Sequence, residues 1–100
     1  MMTADSLAGM AEAWTAFDEA LRDGRGVDQN AYAALKETLR LCAQEWEALD
    51  AIPRLAANIL VDIFAATEAN AALYQGAEAD QAMEAAYELH DLAGACVALR

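Results

Sequence analysis

Bases are scarce in this chain. Its one hundred residues carry 6 Lys plus Arg against 17 Asp plus Glu, for a formal net charge of −11 and a pI near 4.1. A surface that holds nucleic acid needs a basic footprint to neutralise phosphates, and this composition supplies none. Anionic membrane surfaces are disfavoured for the same reason. Proline occurs once and glycine five times. β-branched residues are few, so the marks of a strand-and-turn protein are missing. No apolar run approaches the roughly 18 residues of a membrane helix. The opening MMTADSLAGM lacks the basic and apolar regions of a secretion signal. The expectation is a cytoplasmic protein that neither spans nor coats a membrane. Two cysteines, Cys42 and Cys96, are too few for a disulfide framework, and in the cytoplasm both stay reduced. One histidine, with no C-x-x-C and no H-x-x-x-H, leaves a metal ion without a ligand set, so no metal and no cofactor are expected.

What is abundant is alanine, 27 residues of the hundred. Alanine is the best helix former, and its small side chain lets helices approach closely. The fold class is therefore read as all-α, in a single domain over 1–100. Four segments show helical periodicity. From about Thr3 to Asp23, Leu7, Met10, Trp14, Phe17 and Leu21 recur at three- and four-residue spacings, with Thr3 as cap, Asp5 in the first turn and DGRG as the stop. From about Asp28 to Asp50, Tyr32, Leu35, Leu39, Cys42, Trp46 and Leu49 form an unbroken stripe, with Asp28 as N-cap. From about Pro53 to Gln75 the chain is most apolar. Arg54, Asn58 and Asp62 make one narrow polar ridge, and Ile52, Leu55, Ile59, Leu60, Val61, Ile63 and Phe64 surround it. From about Ala77 onward, Ala82, Ala86, Leu89, Ala93 and Cys96 face inward, opposite Asp80, Glu84, Glu88 and Asp91. Short connections predict an antiparallel four-helix bundle, up-down-up-down. A helix apolar on nearly all sides asks for burial on all sides. The third segment is therefore expected either at the centre or against a second chain, with Ile59, Ile63 and Phe64 at an oligomer interface and a homo-oligomer as the assembly.

Two short stretches resemble known families. H-x-L-x-G, with His90, Leu92 and Gly94, resembles the phosphorylated segment of histidine phosphotransfer domains. That resemblance implies a four-helix bundle with His90 as an exposed phospho-acceptor and Gly94 making room for a receiver protein. The other reading of His90 is a boundary histidine hydrogen-bonded to a carboxylate. Asp5, Ser6 and Leu7 resemble the carrier-protein motif, in which the serine bears phosphopantetheine. The same D-S-L is also what the start of a helix requires for capping.

The carboxylates of the last segment stand out. Glu78, Asp80, Glu84, Glu88 and Asp91 meet no base before Arg100. Like charges at i, i+4 cost a few tenths of a kcal/mol each, which lysines at some of these positions would have avoided. Such a row can imitate a phosphate backbone toward a basic groove; the plainer reading is a solvated acidic face. The first and last segments carry the most negative charge, and adjacent placement in an up-down bundle would merge it into one face. No nucleophile–base pair, phosphate loop or metal cluster is present, so an enzyme is not expected. The composition points to a helical protein–protein interaction module whose partner is another protein with a basic surface. In its sharper form this is an inhibitor occupying a nucleic-acid-binding surface, like anti-CRISPR or anti-restriction proteins in size and charge. Asp80, Glu84, Glu88 and Asp91 are the expected partner-binding residues. A phosphotransfer bundle acting through His90 and a structural subunit of a larger complex are the alternatives.

Overall fold

Alanine-rich amphipathic stretches can only form rods that bury one stripe each, and the molecule is built from four of them. A computed structural model describes residues 4–99, with helices α1 (Ala4–Arg22), α2 (Gln29–Trp46), α3 (Arg54–Ala71) and α4 (Gly76–Cys96). No strand occurs among the described residues. Thr3, expected to cap α1, lies outside them.

The ends follow local chemistry. Gly24, at φ 81°, takes the left-handed conformation that closes α1, with the Arg25 N–H bonded back to the Ala20 carbonyl at 2.9 Å. Asp28 caps α2, accepting from the Ala31 N–H at 3.0 Å. Pro53 takes the N-cap position of α3, one residue before the first helical turn. Two helices end sooner than their apolar spacing suggests. After Trp46, a tight turn in which the Leu49 N–H bonds the Trp46 carbonyl at 2.9 Å redirects the chain, and Pro53 disfavours helix just ahead of it. After Ala71, Leu73 and Tyr74 make similar three-residue turns back to Asn70 and Ala71. Leu49 and Leu73 are left 47% and 63% exposed.

α1 packs against α2 and α3, and α4 against α3 and α2. Within each sequential pair the helices run antiparallel: Ser6 near the start of α1 bonds Glu45 near the end of α2, while Phe17 meets Tyr32. Across the pairs they run parallel. Asn70 donates to Asp18 at 2.9 Å, joining the late turns of α3 and α1, and the Cys96 thiol reaches the Leu39 carbonyl of α2 at 3.3 Å. Chain direction thus alternates, but the α2–α3 connection crosses the diagonal. α1 and α4 face each other across the bundle instead of lying side by side. The two most acidic helices are therefore separated, and the expected single merged acidic face does not form.

The core is the set of stripes read from the spacing. Met10, Trp14, Phe17 and Leu21 of α1, Leu35, Leu39, Cys42 and Trp46 of α2, and Ala82, Ala86, Leu89, Ala93 and Cys96 of α4 are all buried. Ile59 and Ile63, expected at an interface with another chain, are 4% and 0% exposed inside this chain's own core. The physical reason is their position on the inward arc of α3 with Ala56 and Thr67, also fully buried. Phe64, the third residue expected at an oligomer interface, is half-buried at the α3–α4 edge. The Tyr74 hydroxyl ties the α3–α4 turn to the far end of α1: it donates to the Leu21 carbonyl at 2.6 Å and accepts from the Gly26 N–H at 2.8 Å.

Candidate interaction surface

α4 divides its circumference between the core, α2, α3 and solvent. Toward the core go the small and apolar residues already named. Toward α2 goes Glu88, which accepts hydrogen bonds from the Tyr32 hydroxyl and, at 3.4 Å, from Lys36 Nζ. Lys36 also stands 4.2 Å above the Tyr32 ring. The Tyr32 hydrogen bond, helped by Lys36, holds the Glu88 carboxyl below its ordinary range. Burial first, then the Glu88 hydrogen bond, pushes the Tyr32 phenol up. Glu88 is thus a strut between α2 and α4.

Away from the core face Asp80, Glu84 and Asp91, all exposed. Their spacings of four and seven residues place them on one line, about 16 Å long at 1.5 Å per residue. None of the three makes a hydrogen bond or ion pair among the described residues, where the charged pairs are Arg22–Asp18, Arg25–Asp23 and Lys36–Glu88. The structure thus leaves three of the four expected carboxylates free and occupies the fourth. At the end of α1 and just beyond it, Asp18 and Asp23 are paired with Arg22 and Arg25.

Toward α3 lies a feature that charge counting does not show. An open groove of about 490 Å³ runs between α3 and α4, lined by Ala57, Leu60, Val61 and Phe64 on one wall and His90, Gly94 and Val97 on the other. Its lining is almost wholly apolar, and Val61 is 77% exposed. Phe64 stands between two rings of α4, with centroids 5.6 Å from Tyr87 and 5.2 Å from His90. Gly94 opens the α4 wall, since a Cβ built there meets no atom within 4 Å. Most of the apolar excess of the third segment is accounted for here: Ile59 and Ile63 are core, Leu60, Val61 and Phe64 line the groove, and Leu55 is left exposed.

No family model matches this chain, and no curated protein or solved structure is similar to it.

The remaining motifs fall as follows. His90 is exposed, its ring on Phe64, one helical turn from Gly94. Ser6 is partly buried and donates to Glu45 at 2.7 Å. Cys42 and Cys96 are buried on facing helices, and burial pushes each thiol up to about 11. Among the described residues no group of His, Cys, Asp and Glu is placed to hold a metal ion, and no helix is long and apolar enough to cross a membrane. The groove was the surface that sequence reasoning missed. Its signal was present in the all-round apolarity of residues 52–64, which spacing alone does not divide into core and surface.

Proposed function

We propose that this chain is a protein–protein interaction module that offers the outer face of α4 to a basic surface of another protein. The observation that carries this reading is the line of three carboxylates, Asp80, Glu84 and Asp91, with no cationic partner among the described residues. Unpaired charge in a row costs the helix a little stability and gains nothing inside the molecule, whereas it steers and orients a cationic partner. The sharper form is an inhibitor that takes the place of nucleic acid on its target. The test is capture from a lysate of the producing organism at low and high salt, with wild type beside Asp80→Lys/Glu84→Lys/Asp91→Lys. A basic, nucleic-acid-binding protein should be held by wild type at low salt, released by added salt and by competing DNA or RNA, and lost with the triple variant. The same proteins retained by wild type and variant would sink the reading.

A second reading is favoured by the place of His90. It is exposed, it stands at the rim of an apolar groove, and Gly94 leaves the next turn open. An exposed His90 and an open turn at Gly94 are what the phosphotransfer resemblance implies. Exposure to acetyl phosphate, or to a histidine kinase with its receiver, decides it: an acid-labile phosphate lost in His90→Gln supports it, and none on wild type disposes of it. A structural subunit of a larger complex would use Val61 and Val97 of the same groove, since Ile59 and Ile63 are already in the core.

A further inference from the structure

We infer that the α3–α4 groove is a docking site for one amphipathic helix of a different protein, apolar on the face that enters the groove and basic on the flank that lies along α4. This inference rests on the interaction reading above and adds the form of the partner.

The groove sets the shape of the occupant. Ala57 to Ala65 on one wall and His90 to Val97 on the other each span about 10–12 Å. That length suits two to three turns of helix. The described residues offer no strand edge for an extended peptide to extend, so helix-in-groove recognition is the available mode. Ala57, Ala65 and Gly94 hold the walls low, which permits the close axial approach of packed helices, about 8–10 Å. Val61 and Val97, 77% and 55% exposed, are the apolar contacts left for the newcomer.

Charge sets its polarity. At the Phe64 end of the groove, one turn further along α3, is Glu68, and along α4 are Asp91, then Glu84 and Asp80, all exposed. At the opposite end, where α3 begins, stands the exposed Arg54. Lys36 and Arg40 sit on the α2 side of the carboxylate line, where both act on Glu88. The negative field is therefore bounded by cations on one side and opens toward the groove on the other. An occupant with lysines or arginines on its α4 flank, concentrated away from Arg54, satisfies this arrangement. A second copy of this chain does not: it brings the same net charge of −11 and the same carboxylate line.

The experiment uses the full chain and a fluorescein-labelled 14-residue peptide, with leucines at three- and four-residue spacings and lysines on one flank, read by anisotropy in moderate salt. Gly94→Leu projects a side chain into the groove from a position where a Cβ meets no atom within 4 Å, and Ala16→Leu, on the exposed side of α1, is the control. The expected result is saturable binding to wild type and to Ala16→Leu. Binding should fall at least tenfold in Gly94→Leu, and at least tenfold when the peptide is scrambled or its lysines become glutamates. Amide shifts should concentrate in residues 57–65 and 90–97. No saturable binding, or equal affinity of wild type and Gly94→Leu, overturns the inference. So does a wild-type dimer that Gly94→Leu dissociates, which would make the groove a self-interface. If Asp80→Lys/Glu84→Lys/Asp91→Lys weakens binding while Gly94→Leu does not, the acidic face survives and the groove falls. If neither weakens binding, both fall.

Discussion

Replacing Thr67 by valine should stabilise this protein. Thr67 sits on the inward arc of α3 with 0% exposure, and its hydroxyl oxygen finds no hydrogen-bond partner. Folding therefore strips water from a polar group and returns nothing, which costs about 1–3 kcal/mol. Valine keeps the β-branched shape and its preferred helical rotamer while removing the hydroxyl. Part of the gain is offset by imperfect packing of the new methyl, so the expected net is about 1–2 kcal/mol. For a domain of this size each kcal/mol moves Tm by about 4–8 °C. Urea unfolding followed by circular dichroism reads it directly: the midpoint should rise with an unchanged slope. Thr67→Ser is the companion, keeping the hydroxyl and losing a methyl, and should destabilise by about 1 kcal/mol. A valine variant with a lower midpoint than wild type would refute the reasoning, because it would mean that the hydroxyl is satisfied in solution, for instance by an internal water.

Three further outcomes follow from named contacts. Tyr74→Phe leaves the Leu21 carbonyl and the Gly26 N–H without their partner and should cost about 1–2 kcal/mol in urea unfolding; no loss would mean the α3–α4 turn is not pinned to α1. Cys42 and Cys96, raised from 9.0 to about 11 by burial, should react with a disulfide reagent at pH 8 about 100-fold more slowly folded than in urea, and fast reaction of the folded protein would contradict their burial. Because the fold prefers the neutral thiols, their contribution is present below 9.0 and is lost as pH rises toward about 11. Glu88 has the opposite sign. Its carboxyl is held down by Tyr32 and Lys36, so its contribution is present above the unfolded carboxylate pKa and fades as pH falls through the folded one. Tyr32→Phe should raise the Glu88 pKa in an NMR titration, and an unmoved value would show that the hydrogen bond is not formed.

Much of the fold was legible because helical spacing is a strong signal. Met10, Trp14, Phe17 and Leu21, or Leu35, Leu39, Cys42 and Trp46, name their inward faces by position alone, and Asp28 announces its cap. What spacing does not encode is which rods touch. The seven residues between Trp46 and Arg54 are long enough to turn to a neighbour or to cross the diagonal, and the latter occurs. This undid the adjacency of α1 and α4. The same limit affected α3. A helix apolar over most of its circumference tells nothing about which arc its neighbours will cover, so Ile59 and Ile63 read as interface when they are core. Among the carboxylates, charge and period located the line on α4. Only the register with α2 showed that Glu88 belongs to Tyr32 and Lys36.

The apolar groove and the free carboxylates supply different things to the proposed complex, and neither suffices alone. An exposed ion pair contributes about 0–1 kcal/mol and weakens with salt, so three of them supply at most a few kcal/mol before the cost of association. Burying one leucine-sized side chain supplies about 1.5–3 kcal/mol, largely independent of salt. Residence of a partner helix must then come mainly from residues seated between Val61 and Val97, over the open turn at Gly94. The carboxylates at Asp80, Glu84 and Asp91 instead raise the encounter rate and reject acidic competitors. Rate and residence are separable in a kinetic measurement: charge reversal on α4 acts on association, and filling Gly94 acts on dissociation. Asp91 lies level with the α4 wall of the groove, and Glu84 and Asp80 continue the line about 9 and 15 Å beyond His90, so a partner helix that seats at Gly94 meets most of the charge only with turns that extend past the Phe64 end.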